Sequence, residues 1–308
     1  MSLRVLLGPQ RTLPVIGEEV AALTDADETV AVISAGWQEA ENDLEDLHKV
    51  VQRPLEDLLL YGRSETLTSD APELGAAHRE RQDTLRQLQR QYRLRLGHLM
   101  QAAEDIFEVS GDLAPLDQRH AITQLRALDR HHLQRLAAAH ARYLEVEQAH
   151  GGQILADVRG TLQAQLDGVR CVIITGGNVG VLSSRLRLLG LKSMLADKHI
   201  VAWSGGAMAL CERVVLYHDR APQGLRDAEI FDEGLGLAPG LVVLPNARRR
   251  LDTTRTTRLG LMSRRFAPRR VVTLDPGQIV RMKDDKLDSV TQSRRLTRDG
   301  ELKKLKVR

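Results

Sequence analysis

The chain has 308 residues, enough to bury a large core as one big domain or two ordinary ones, and its formal charge of +3 is too small for that length to imply a nucleic-acid partner. Aromatic residues make up 3% of it, while Leu, Ala, Arg, Gln and Glu crowd the first half, which fits long exposed helices better than a second aromatic core. No apolar run approaches the ~20 residues a membrane span requires, and Met1-Ser2-Leu3-Arg4 enters a strand instead of a signal-peptide core, so a cytoplasmic protein without membrane contact is expected.

Leu3 to Leu7 is a compact apolar strand closed by Gly8-Pro9. Gly17 to Leu23 has helical periodicity, and Thr29 to Ser34 is a second strand ending at Ala35-Gly36. The strand, helix, strand order then breaks off from about Asn42 to Gln165. There, Leu85, Leu88, Tyr92, Leu96, Leu99, Ala103 and Ile106 recur at steps of three and four and mark one stripe of a long helix. Val109 to Pro115 supplies a break, after which Ile122, Leu125, Leu136, Tyr143 and Val146 mark a second long helix, ended or bent by Gly151-Gly152. The pair reads as a helical hairpin inserted into a sheet domain. One apolar stripe per helix suits a hairpin that covers its partner helix, docks on the sheet, or pairs with a second copy or another protein.

Alternation resumes with a strand at Cys171 to Thr175, a helix at Val181 to Leu189, a strand at Ile200 to Trp203 and a helix from Ala207. Further strands are expected at Arg213 to Tyr217, Leu241 to Leu244 and Val271 to Leu274. Strands alternating with helices predict an α/β fold, a mostly parallel sheet with helices on both faces. The expected division is residues 1–41 and 168–290 for the two parts of the sheet domain, 42–167 for the helical insertion and 291–308 for a basic tail. Cys171 and Cys211 sit in apolar surroundings without a ligand-spaced partner, and are expected as buried reduced thiols, with no metal site and no cofactor.

The densest chemical signal is His199-Ile200-Val201-Ala202-Trp203-Ser204-Gly205-Gly206-Ala207, a strand running into a serine flanked by small residues and then into a helix. A side chain at such a sharp turn stands clear of the backbone, and the glycines accept the dihedrals and close approach that the turn demands. Ile174-Thr175-Gly176-Gly177-Asn178, Ala202 to Ala207, and Gly234-Leu235-Gly236-Leu237-Ala238-Pro239-Gly240 together resemble the cyanophycinase and dipeptidase E family of serine peptidases. That family has the fold of class I glutamine amidotransferase-like domains, a flavodoxin-like arrangement. The resemblance covers approximately residues 1 to 42 and 168 to 275 and leaves the helical insertion unexplained.

The resemblance implies Ser204 as nucleophile, the backbone N–H groups of Gly177 and Gly205 as an oxyanion hole, and Asp219 as the acidic member of a triad. It also implies a histidine after Pro245, where this chain has Asn246. Asparagine does not accept a proton near neutral pH, so the serine lacks the base that should activate it. His218 is the nearby candidate for rescue, although strand alternation points it away from Asp219. Asn178 and Arg248 are the residues expected to meet a ligand.

Each of these residues also has a plainer reading. Ser204 fits a tight turn, Asp219 a turn carboxylate before Pro222, and Gly176-Gly177-Asn178 a strand end, although that edge of a parallel sheet is where ligands bind. Arg248, Arg249 and Arg250 cannot all enter one pocket, and the basic stretches 264–270 and 294–308 lack interleaved aromatics, so both are expected to be solvated. His120, His131, His132, His140 and His150 are expected as solvated helix positions.

Two functions follow. One is a serine hydrolase of a peptide or related amide, impaired by Asn246. The other is a non-catalytic protein whose old cleft holds a small peptide or amide ligand while the insertion serves assembly. Amidotransferase chemistry ranks below both, because Cys211 is two turns beyond the serine and fold alone is no evidence for it.

Overall fold

The computed structural model describes residues 2–221 and 226–307. The first strand, β1 (Leu3–Leu7), leads through α1 (Ile16–Ala21) to β2 (Val30–Ile33), α2 (Glu45–Val51) and β3 (Leu55–Asp57). Four helices follow without an intervening strand: α3 (Leu60–Asp70), α4 (Pro72–Glu108), α5 (Ala114–His150) and α6 (Gly152–Asp167). The chain then runs β4 (Cys171–Ile174), α7 (Val179–Leu188), α8 (Leu191–Met194), β5 (His199–Trp203), α9 (Gly205–Leu210), β6 (Arg213–His218) and β7 (Arg226–Glu233). It closes with β8 (Leu241–Pro245), α10 (Ala247–Arg250), α11 (Thr256–Phe266), β9 (Arg270–Leu274), β10 (Ile279–Lys283), β11 (Lys286–Thr291), β12 (Arg294–Leu296) and β13 (Leu302–Lys304).

The main sheet has the order β11-β10-β1-β5-β4-β2-β3, and β1, β5, β4, β2 and β3 run parallel. The central strands β1, β5, β4 and β2 are largely apolar on both faces, as a sheet covered on both sides requires. Alternation sends Leu6, Ile174, Ile200 and Ala202 into one core and Val5, Leu7, Ile173 and Val201 into another on the opposite face. Cys171 and Cys211 are free and buried, and burial pushes both thiols up to about 12. The architecture is therefore α/β with a largely parallel sheet, interrupted by a long helical hairpin.

Four expectations about organisation need correction. The segment 42–167 is not purely helical, because β3 lies inside it and pairs with β2 as the edge of the main sheet. The strands near 241 and 271 leave the main sheet, since β8 and β9 pair with each other in a second sheet of order β13-β12-β9-β8. Among the described residues β6 pairs with β7 alone, as an antiparallel ribbon. The basic stretch after residue 290 is likewise no loose tail: β12 and β13 pair with each other, and β12 with β9.

The hairpin docks on β7 and α11, and through them joins the core of this second sheet. Tyr92, Leu96, Met100, Ala121, Leu125 and Leu128 share one core with Ile230, Val242, Leu259 and Phe266, so the stripes that suggested a dimer arm pack within the chain. The buried face of α5 also carries Asp129, His132, His140 and Glu147. Asp129 binds the Arg265 guanidinium at 2.6 and 2.7 Å and accepts from the Tyr92 hydroxyl at 2.8 Å. His140 Nε2 lies 3.0 Å from Asp232, and Glu147 accepts from Arg159 at 2.7 Å. His132 and His140 are therefore buried and partnered, whereas His120, His131 and His150 are exposed as expected. Arg265, expected in solvent, is 2% exposed.

Candidate functional site

Four parallel strands end at one edge of the main sheet, and the turns that follow them meet there. Ser204 leaves β5 with φ 49° and ψ −113°. That region is costly for any residue with a Cβ, of order 1–3 kcal/mol, and such strain persists only where the surroundings hold it in place. Here the Ser204 N–H donates to Leu7 O at 3.1 Å and its carbonyl accepts from Met208 N–H at 3.1 Å, the first bond of α9.

The neighbours of this turn are glycines because backbone packs against backbone. A Cβ on Gly206 would lie 2.4 Å from Ile174 O and 2.6 Å from Thr175 O. On Gly177, at φ +100°, it would lie 2.3 Å from Gly36 O, and on Gly176 3.2 Å from the Ser204 Cβ. Asn178 N–H donates to Gly36 O at 2.8 Å, which ties the β4 turn to the β2 turn. Trp37 and Trp203 flank the serine turn with ring centroids 6.3 Å apart. From sequence Gly36 reads only as the end of a strand and Trp37 carries no signal, although a glycine closing a strand at the carboxyl edge is the same feature that singles out Gly176 and Gly177.

The backbone N–H groups of Gly177 and Gly205 have no acceptor among the described residues. Such open donors beside a partly exposed hydroxyl are what an oxyanion-stabilising site needs. Asn178 is placed differently from its expected ligand contact. Its Oδ1 accepts from Gly180 N–H at 3.0 Å and Val181 N–H at 3.2 Å, so the side chain caps α7.

The Ser204 hydroxyl makes no hydrogen bond to Asn246, Asp219, His218 or any other side chain among the described residues. Asn246 ends β8 at φ 62°, ψ 39°, the left-handed region that asparagine tolerates well. Its N–H donates to Leu274 O at 3.0 Å and its carbonyl accepts from Arg249 and Arg250. The link back to the serine is Gly8, after β1, whose position for a Cβ lies 2.0 Å from Asp275 O. Asp275, 3% exposed, was also unforeseen; it accepts from Arg248 N–H at 2.9 Å. The Arg248 side chain is 75% exposed, with Nε 3.9 Å from the Asp275 carboxylate.

Asp219 is committed elsewhere. Its carboxylate accepts from Asp252 N–H at 3.0 Å and lies 3.5 Å from Arg258 Nε, and Arg258 also binds Glu104 and Asp227. No His218–Asp219 hydrogen bond forms, and the buried Nδ1 of His218 has no partner among the described residues. Pro222 of the same turn lies outside the described residues. The glycine motif of residues 234–240 packs beneath α9, where Leu235, Gly236 and Ala238 N–H groups bond the carbonyls of Ala209, Cys211 and Leu210.

No family model and no curated protein matches this chain. Among solved structures it is similar to a peptidase from an acI-B1 Actinobacterium, at 10% identity and TM-score 0.47, covering 97% of this chain and 91% of that one. It is also similar to a putative peptidase E protein from Listeria monocytogenes EGD-e, at 10% identity and TM-score 0.45, covering 96% of this chain and all of that one. Likeness at this level assigns no residue role and no substrate. Among the described residues no helix is long and apolar enough to cross a membrane, and no group of three or more His, Cys, Asp or Glu could hold a metal.

Proposed function

We propose that this chain is a serine-peptidase-like protein of the cyanophycinase and dipeptidase E type, whose Ser204 turn receives a small peptide or amide and whose hydrolytic step is impaired. The observation that carries this reading is Ser204 held at φ 49° with the N–H groups of neighbouring Gly205 and of Gly177 in the adjoining turn left without acceptors among the described residues. In the full reaction the serine oxygen gives up its proton and attacks the amide carbon, the carbonyl oxygen takes the developing charge, and the leaving nitrogen takes a proton as the C–N bond breaks, after which water hydrolyses the acyl-serine. The two glycine N–H groups serve the second step.

The first and third steps need a base that becomes an acid. Asn246 has no basic lone pair for that role, and Asp219 is engaged with Arg258 and Asp252. Loss of the base costs on the order of 10⁴–10⁶ in turnover, leaving what binding and the oxyanion donors supply. That engagement of Asp219 favours the second reading, a non-catalytic ligand-binding or assembly protein.

Intact-mass labelling with a fluorophosphonate separates the two. Wild type, Ser204→Ala and Asn246→His are run in parallel. Labelling restricted to Asn246→His is expected and identifies a serine framework without its base. Labelling of wild type that disappears in Ser204→Ala identifies an active hydrolase with another base, His218 being the first to substitute. Absence of label in all three discards Ser204 as a nucleophile and leaves the binding reading.

A further inference from the structure

A groove outside the serine turn carries more positive charge than the chain neutralises. It lies between α4 on one wall and α7 with the end of β7 on the other, as two adjoining cavities of about 310 and 530 Å³. They share Gln82, Arg86, Gly180, Ser184 and Phe231, and the outer one opens beside Asn178. The inner cavity is lined by Arg81, Arg86, Arg90, Arg93 and Arg187 against a single carboxylate, Asp232. That carboxylate is already shared between His140 at 3.0 Å and Arg187 at 3.3 Å. Arg93 is taken by Glu229 at 2.8 Å, and Arg86 by Asp83 at 3.0 Å on the solvent side.

Arg81 is the most telling of these. It is 5% exposed, no carboxylate pairs with it among the described residues, and its Nε has no hydrogen-bond partner. Its guanidinium lies 3.9 Å over the Tyr143 ring and its Nη2 is 3.0 Å from His78 Nδ1. The other imidazole nitrogen, Nε2, faces Arg185 Nη1 at 3.3 Å. Burial, followed by the charges of Arg81, Arg185 and Arg79, pushes His78 down to about 3, so the ring is neutral near pH 7. A neutral imidazole accepts one hydrogen bond and donates the other. Two guanidinium donors therefore share one imidazole acceptor; Arg185 is also paired with Glu65, the carboxylate of the outer cavity, at 2.5 Å, whereas Arg81 has no such partner among the described residues, so the shortage of acceptors and of negative charge falls on Arg81.

We propose that the α4–α7 groove is a binding site for a phosphate-bearing small molecule. Guanidinia approaching from two walls call for several acceptor oxygens and more than one negative charge on a compact group; a phosphate or pyrophosphate group supplies both, and planar forks match its oxygens. Leu85 and Phe231 give the same groove apolar walls for the body of such a ligand. The site uses the insertion helix and owes nothing to Ser204, so it stands whether or not the serine is chemically competent.

The test is calorimetric titration of the full chain with inorganic pyrophosphate, orthophosphate and citrate at one fixed ionic strength. Saturable binding of one pyrophosphate per chain is expected, weakened about tenfold or more by Arg81→Gln and by the exposed pair Arg86→Ser/Arg90→Ser. The surface pair keeps the test valid if Arg81→Gln fails to fold, and Ser184→Glu, which adds a carboxylate where the two cavities join, is expected to weaken binding similarly. Ser204→Ala is expected to bind as wild type does. Absence of saturable pyrophosphate binding overturns the proposal, as does equal binding by wild type and the Arg86→Ser/Arg90→Ser variant. Citrate binding as tightly as pyrophosphate overturns the assignment to phosphate.

Discussion

The serine end of the main sheet and the seat of the hairpin are built on opposite principles. Around Ser204 the close contacts are backbone on backbone at Gly36, Gly177 and Gly206, and donors are left open. Where α5 meets α11, charged side chains are buried and paired, with Arg265 held by Asp129, the Tyr92 hydroxyl and Ala228 O. Polar groups that serve the fold are spent on each other; those at the serine turn and in the α4–α7 groove remain available. The contrast extends to strain. Ser204 and Asn246 both end a strand and begin a helix at positive φ, but only Ser204 lies outside the region that its residue type tolerates.

Asp129→Ala is the harshest way to test the hairpin seat. It strands the Arg265 guanidinium, 2% exposed, and is expected to cost about 3–5 kcal/mol in urea unfolding. Retention of wild-type stability would mean that water reaches the seat. At the serine end Gly206→Ala forces a Cβ against two carbonyl oxygens, for an expected loss of about 3 kcal/mol. The same urea midpoint reads it.

The seat should also respond to acid. His132, stacked on Tyr92 at a centroid distance of 4.0 Å, is pushed down to about 4 by burial. Between pH 6.5 and about 4 the unfolded chain binds a proton that the folded chain refuses, so stability is fully present above pH 6.5 and falls as pH drops through this window. His132→Gln is expected to flatten that fall by about 1–2 kcal/mol, measured as unfolding free energy against pH. An unchanged slope would locate the acid sensitivity elsewhere.

Smaller effects separate the two turns. Ser204→Gly relieves the strained dihedral against a gain in unfolded-state entropy, and a net stabilisation of about 1 kcal/mol is expected in thermal or urea unfolding. Asn246→Gly should change stability by no more than about 0.5 kcal/mol, because asparagine already accepts its left-handed geometry. Equal responses of the two variants would erase the distinction between a strained turn and a relaxed one.

What could be read along the chain follows from how local each signal is. The strand before Ser204 and the glycines beside it lie within nine residues of sequence, so the turn was visible with its neighbours. The hairpin was visible in its apolar positions and invisible in its polar ones. Asp129, His132 and His140 look solvated until Arg265, Gln89 and Asp232 are set against them, and Asp129 and Arg265 are 136 residues apart. The β10–β11 hairpin was missed because its strands carry Arg281, Lys283, Lys286 and Asp288, and its turn is Asp284-Asp285, both at positive φ, without a glycine.

The sequence by itself determined the α/β alternation, the two long helices and the serine turn, since periodicity and glycine placement act over a few residues. Tertiary structure alone decided that β8 and β9 leave the main sheet, that Asp219 serves Arg258, and that the insertion shares a core with the C-terminal sheet. Those outcomes depend on pairing charges and apolar faces far apart along the chain, where burial makes each unpaired group costly and so selects the partner.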